Sequence, residues 1–484
     1  MSLTQEPSVP SAPPESPPPS RSAGAGRLLL RRLHFYAGIL VAPFLVIAAV
    51  SGALYAIAPT LENVVYDRYL HTDSTGAPQP LAEQVAAAVD ARGDLELSAV
   101  RPSTEPGDTT RVLFTDPTLG ESERLAVFVD PVTAQPVGEL VSYGSSGALP
   151  LRTWISQLHR HLHLGEPGRI YSELAASWLW VIALGGLLLW IARYRKGRAN
   201  GNDRVRLATV DRRVRGRNRT LSWHGAIGVW IVVGLVFLSA TGLTWSRFAG
   251  ENVSDLRTAL SWTTPAVETD LTGGSAEAGG DHGGHAGHDV AAQPDTETAP
   301  AVDTVPQLDS VLGLARSAGV DDKVEITVPA DAQTAYKVTE TREPWQFSPN
   351  SVAIDADGDT VVDTSWFADW PLAAQLTNWG IALHMGLLFG LWSQIALFVL
   401  AAALVMLIVR GYQMWWQRRP RNGSRPVGRA PGRGGLRDLG VPAAVGVLVV
   451  AAVIGWFVPL LGISLAAFLA VDVAIGLGRR MRAG

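Results

Sequence analysis

The sequence predicts a polytopic α-helical membrane protein in which a helix–α+β domain–helix unit is duplicated, with an extra C-terminal helical hairpin. Three observations predict it. Apolar residues make up 47% of the 484 positions while only 17% are charged, against about 25% charged in an ordinary soluble domain. Several apolar runs reach the roughly 20 residues that a bilayer crossing requires. Histidines and glycines that flank those runs recur in the same order in the two halves.

Composition removes whole classes of chemistry. There is no cysteine, which excludes disulfides, thiolate-held zinc, iron–sulfur clusters and thioether-attached haem. Any metal or haem would have to be held by His, carboxylate or Met. The net charge is −4, a poor match for nucleic acid. No Walker loop follows a strand, no G-x-G-x-x-G opens a helix and no H-E-x-x-H is present.

Residues 1–26 are rich in Pro and Ser and cannot bury a core, so they read as a disordered cytoplasmic tail. The first span is placed at 28–58, its apolar run starting at Leu33. A cleaved signal peptide would need an apolar stretch of only about 7–15 residues. Further spans fall at 174–192, 223–246 and 381–410. The final run, 441–477, is interrupted by Pro459 and Gly462 and reads as two short helices joined there. A single kinked helix with an interfacial segment is the alternative, so the count is six spans or five.

Basic residues set the orientation. The loop 193–222 is Arg-rich, as are 411–440 and the tail 478–484. By the positive-inside rule these face the cytoplasm with both termini, as expected in a bacterial inner membrane. The segments 59–172 and 247–380 then lie outside. Each begins with a helical pattern, Leu81–Val89 in one and Leu308–Ala318 in the other. Each continues into alternating strands that turn after Asp130 or Asp355, a hairpin signal.

Set beside each other, the halves align in two blocks, each without a gap. His34 falls on His224, Gly38 on Gly228, and Ser51-Gly52 on Thr241-Gly242. His159, Leu162 and Gly165 fall on His384, Leu387 and Gly390. The order helix, outside domain, Leu158-His159-Arg160 with its Leu and Gly, then helix, repeated, resembles the PepSY-associated transmembrane proteins. That group includes iron-regulated membrane proteins and ferric-siderophore reductases. The resemblance covers about residues 28–416 and implies PepSY-like outside domains. For some members it also implies two haems b and a haem-dependent ferric-chelate reductase activity.

Under that resemblance the histidines acquire roles. His34 and His224, at the cytoplasmic ends of matching helices, are expected to face each other across one haem, with Gly38 and Gly228 leaving room for the macrocycle. His384 is expected to hold the outer haem with His159 or His163, which would share a face if the segment stayed helical. Arg160 is a candidate partner for haem propionates. By helix rise the two pairs would lie roughly 30–35 Å apart. In the Gly-rich loop, Asp281, His282, His285, His288 and Asp289 suit weak binding of copper, zinc or iron. Asp472 is expected to pair with Arg479. The expected partners are membrane lipid, a ferric chelate outside, and a quinol or cytoplasmic electron donor. A non-redox metal-handling or partner-binding membrane protein is the alternative.

Overall fold

A computed structural model describes residues 21–201, 206–272, 304–418 and 440–481. The chain opens with α1 (Arg21–Leu40) and α2 (Ala42–Val65). Their hydrogen bonding runs through the junction, Val41 N to Ala37 O at 2.8 Å and Leu45 N to Val41 O at 3.1 Å. Pro43 has no N–H to give to the Ile39 carbonyl, and the Tyr412 hydroxyl donates to that oxygen instead at 2.9 Å. In an apolar medium a freed carbonyl needs such a partner.

Next come α3 (Asp67–Leu70), α4 (Leu81–Ala91) and strands β1 (Glu96–Arg101), β2 (Thr110–Thr115), β3 (Glu123–Asp130) and β4 (Gln135–Tyr143). Then follow α5 (Pro150–His161), α6 (Glu166–Ala199), α7 (Gly216–Thr244) and α8 (Phe248–Ala259). The same α+β order recurs as α9 (Leu308–Ser317), β5 (Val324–Thr327), β6 (Tyr336–Glu340), β7 (Ser351–Asp355) and β8 (Thr360–Ser365). The chain closes with α10 (Leu372–His384), α11 (Leu391–Trp416), α12 (Val441–Phe457) and α13 (Pro459–Met481).

The two α+β segments share one antiparallel eight-stranded sheet, order β4-β3-β2-β1-β5-β6-β7-β8. Its seam is short, with Ala99 opposite Thr327 and Val100 opposite Ile326. Side chains reinforce it. Glu325 takes Arg101 at 2.6 Å and Arg124 at 3.0 Å, and the Asp309 carboxylate accepts the Leu81 and Ala82 N–H groups at the start of α4. Burial opposes ionisation of Glu325, but the two guanidiniums overcome it and hold its carboxyl below the usual range. One apolar core, including Val85, Phe114, Val311 and Ile354, runs across both halves under α4 and α9. The two hairpins expected after Asp130 and Asp355 form as β3–β4 and β7–β8.

Helices α2, α6, α7 and α11 are long and apolar enough to cross a membrane, with mean hydropathies from 2.0 to 2.4. Helices α12 and α13 are shorter apolar elements that break at Val458, close to the expected joint. They cross closely at Gly455 and Gly462, where an added Cβ on Gly455 would meet the Gly462 Cα at 2.9 Å. The basic ends of α1, α7, α11 and the acidic side chain of α13 meet at one end of the bundle. There Arg418 lies over Phe35, Arg410 over Trp223, and Arg32 pairs with Asp472.

The run 381–410 is not one helix: α10 ends at His384, and Gly386 and Gly390 adopt φ of +77° and +53° before α11 begins at Leu391. Apolar continuity conceals such a break, because glycine interrupts a helix without adding polarity. Asp472 pairs with Arg32 on α1, and the side chain of Arg479, its expected partner, lies outside the described residues.

Candidate functional site

Four histidines stand in the interior of the bundle at two levels. His34 on α1 and His224 on α7 face each other, with ring centroids 6.3 Å apart and planes at 75°. Each places Nδ1 at a backbone carbonyl of the neighbouring helix: His34 at Ile182 O, 3.1 Å, and His224 at Leu407 O, 3.0 Å. One turn further along each helix is a glycine. A Cβ on Gly186 would meet the His34 ring at 2.9 Å, and one on Gly411 would meet the His224 ring at 3.7 Å. The spacing that carries His159 onto His384 also carries Ile182 onto Leu407 and Gly186 onto Gly411.

At the second level His159 ends near the close of α5 and His384 closes α10. Their Nδ1 atoms meet side-chain hydroxyls, Ser51 Oγ at 2.9 Å and Thr241 Oγ1 at 2.6 Å. Gly52 and Gly242 clear space for the two rings, whose Cε1 atoms would lie 3.1 and 3.9 Å from an added Cβ. An aromatic ring follows one turn on: Tyr55 stacks on His159 at 6.3 Å, and Trp245 meets His384 edge-on at 5.4 Å. All four histidines are half-buried.

Several features hold the short helices that carry the second pair. Glu62, itself buried on α2, accepts the Leu149 N–H at 2.7 Å and pairs with Arg152 at 3.2 Å, fixing the start of α5. Arg342 reaches Asn378 on α10 at 3.3 Å, and the Trp345 N–H donates to Leu388 O at 2.9 Å. After each short helix, Gly165 and Gly390 adopt nearly the same conformation, φ +61° with ψ −135° and φ +53° with ψ −132°. A side chain there would be strained, so these glycines let the chain turn from the His helix into the span.

His163 does not join the pair. Helix α5 stops at His161, and Leu162 and His163 both take left-handed backbone with φ near +55°. The shared helical face is therefore lost. His163 is exposed and packs on Trp154 at 4.9 Å. Arg160 donates to the Tyr143 hydroxyl on β4 at 3.0 Å, tying α5 to the sheet. Gly38 has open space around it, but a Cβ added to Gly228 would meet Leu407 Cδ1 at 3.4 Å. The glycines nearest the rings are Gly186, Gly411, Gly52 and Gly242, two of which the sequence reading missed.

On α7, a single helix, His224 and Thr241 are seventeen residues apart, about 25 Å by helix rise, while the partners of the two levels on α6 lie nearer together. On α6, Ala176 marks the outer level, since its carbonyl accepts Ser239 Oγ at 2.6 Å and its Cβ faces Gly242. Ile182 and Gly186 mark the inner one. Six to ten residues separate them, about 9–15 Å along the axis.

Among the described residues no group of three or more His, Cys, Asp or Glu could hold a metal ion. The loop residues Asp281, His282, His285, His288 and Asp289 lie outside the described residues. A search of curated proteins finds no match to the chain. The family model for the PepSY-associated TM region matches residues 31–418, a stretch that takes in all four paired histidines and the whole sheet. The chain is a membrane protein and belongs to that family.

Proposed function

We propose that this protein is a dihaem b protein of the bacterial inner membrane. In this reading it passes electrons outward to a ferric chelate, such as a ferric-siderophore, and its helix–α+β–helix unit is duplicated. The observation that carries the proposal is the two-level arrangement of paired histidines, each anchored at Nδ1. Two imidazoles bonded end-on through Nε2 to one metal at about 2 Å each have centroids about 6 Å apart. The His34–His224 separation of 6.3 Å fits that requirement. A backbone carbonyl can only accept, so Ile182 and Leu407 require Nδ1–H and leave both Nε2 lone pairs for a ligand role. Haem b, when bound, supplies reversible one-electron exchange.

The remaining parts of the chain support that task. Glycines beside each ring keep space free on the histidine faces. An apolar cavity of about 370 Å³ opens between α6, α12 and α13, with Leu33 in its wall directly next to His34. Its lining favours a lipid-soluble quinol over a soluble cytoplasmic protein as donor. With the Arg-rich ends facing the cytoplasm, the sheet and the outer pair face the chelate. Chelates with oxygen donors hold hard Fe³⁺ better than Fe²⁺. Adding one electron to ferric iron therefore loosens it from the chelate.

Purified protein, reduced with dithionite and freed of excess reductant, should return to its oxidised spectrum when a ferric hydroxamate is added. Ferrous iron should then appear in a ferrous-specific chromogenic chelator. A reduced spectrum that persists through the addition would exclude chelate reduction. Protein without any haem spectrum would favour a non-redox metal-handling role.

A further inference from the structure

The inner and outer histidines are anchored by different chemistry. Inner anchors are main-chain carbonyls, fixed by the fold and beyond the reach of substitution. Outer anchors are hydroxyls, Ser51 and Thr241, which occupy matching places in the two halves. A hydroxyl carries one hydrogen and can either give it or receive one. Which happens here is decided by the surroundings.

Ser51 Oγ sits 2.8 Å from Ile47 O and 3.2 Å from Ala48 O. Thr241 Oγ1 sits 2.8 Å from Phe237 O. Both hydroxyls thus have carbonyls of their own helix as acceptors for the one hydrogen, the back-bonding typical of Ser and Thr in helices. With the hydroxyl hydrogen directed at a carbonyl, the oxygen facing Nδ1 presents a lone pair.

We propose that Ser51 and Thr241 are positioning residues whose hydroxyls accept the Nδ1–H of His159 and His384 and so leave both Nε2 lone pairs free for the outer haem. This rests on the dihaem reading above. It adds a consequence that reading does not contain. A hydroxyl is a weaker acceptor than an amide carbonyl, so it draws less negative charge onto the imidazole. Ligands of lower basicity favour ferrous iron. The outer haem is therefore the one with the higher potential, and the acceptor chemistry orders the two sites for outward flow.

The test is a redox titration of the full-length protein followed in the visible spectrum, with S51A, T241A and the conservative S51T and T241S. In the wild type two waves are expected. S51A and T241A should move the higher wave to more positive potential and leave the lower wave in place. S51T and T241S should restore the wild-type position. Unmoved waves, or a shift of the lower wave alone, would overturn the assignment. Should either alanine variant lose a haem altogether, rescue by the matching hydroxyl variant supports the positioning role and failure of rescue counts against it. Wild-type protein without haem would defeat the dihaem reading, and ¹⁵N chemical shifts of the imidazoles would still decide the hydroxyl assignment. A proton on Nδ1 of His159 and His384 upholds it; a proton on Nε2 refutes it.

Discussion

Gly186 and Gly411 hold equivalent places beside His34 and His224, yet they leave different clearances. A methyl group on Gly186 would come within 2.9 Å of the His34 ring, closer than real Cβ contacts, whereas on Gly411 it would sit in ordinary contact at 3.7 Å. Alanine in either helix gains roughly 1 kcal/mol of helix propensity over glycine. G186A should therefore displace His34 and lower the haem content toward one per chain, while G411A should bind as the wild type does. Pyridine haemochrome assay of the two variants checks this. The four histidines and Ser51-Gly52 with Thr241-Gly242 were legible in the sequence because His and Gly are scarce in apolar runs. The choice between His159 and His163 was not, because it depends on α5 ending one turn early at Leu162. Carbonyl anchors such as Ile182 O leave no residue-type signature at all.

Strand β1 joins β5 through two residue pairs, and that short seam depends on Glu325 between Arg101 and Arg124. Removing one partner of a buried ion pair costs about 3 kcal/mol, since the others lose their counter-charge. E325Q should accordingly destabilise the sheet by about that amount at neutral pH and speed amide exchange in β1 and β5. Because the Glu325 carboxyl is held below its unfolded range, its contribution is present above that range and lost as pH falls through the folded value. The gap between wild type and E325Q should close below about pH 4. A gap that stays constant into acid would contradict the ion-pair account. Both hairpins and both leading helices could be read from alternation and turn residues. The pairing of two edges into one sheet could not, because an edge strand carries no mark of its partner.

At the scale of the whole molecule, one arrangement explains why the halves match where they do. Pro43 frees the Ile39 carbonyl between α1 and α2, and Tyr412, next to Gly411, donates to it, so α11 is tied beside His34 and His224. Arg32, two residues from His34, is held by Asp472, which ties the C-terminal hairpin to the same level. At the outer level the sheet grips α5 through Tyr143 and α10 through Arg342. Apolar runs and Arg-rich loops made the membrane character plain, and the matched His motifs led to the family. The most direct measurement of the central claim is haem stoichiometry with reduced-minus-oxidised spectra for the wild type, H34A, H224A, H159A and H384A. The account predicts two b-type haems per chain in the wild type and one in each variant, with H34A matching H224A and H159A matching H384A. Loss of both haems from every variant, or of none from any, would contradict it.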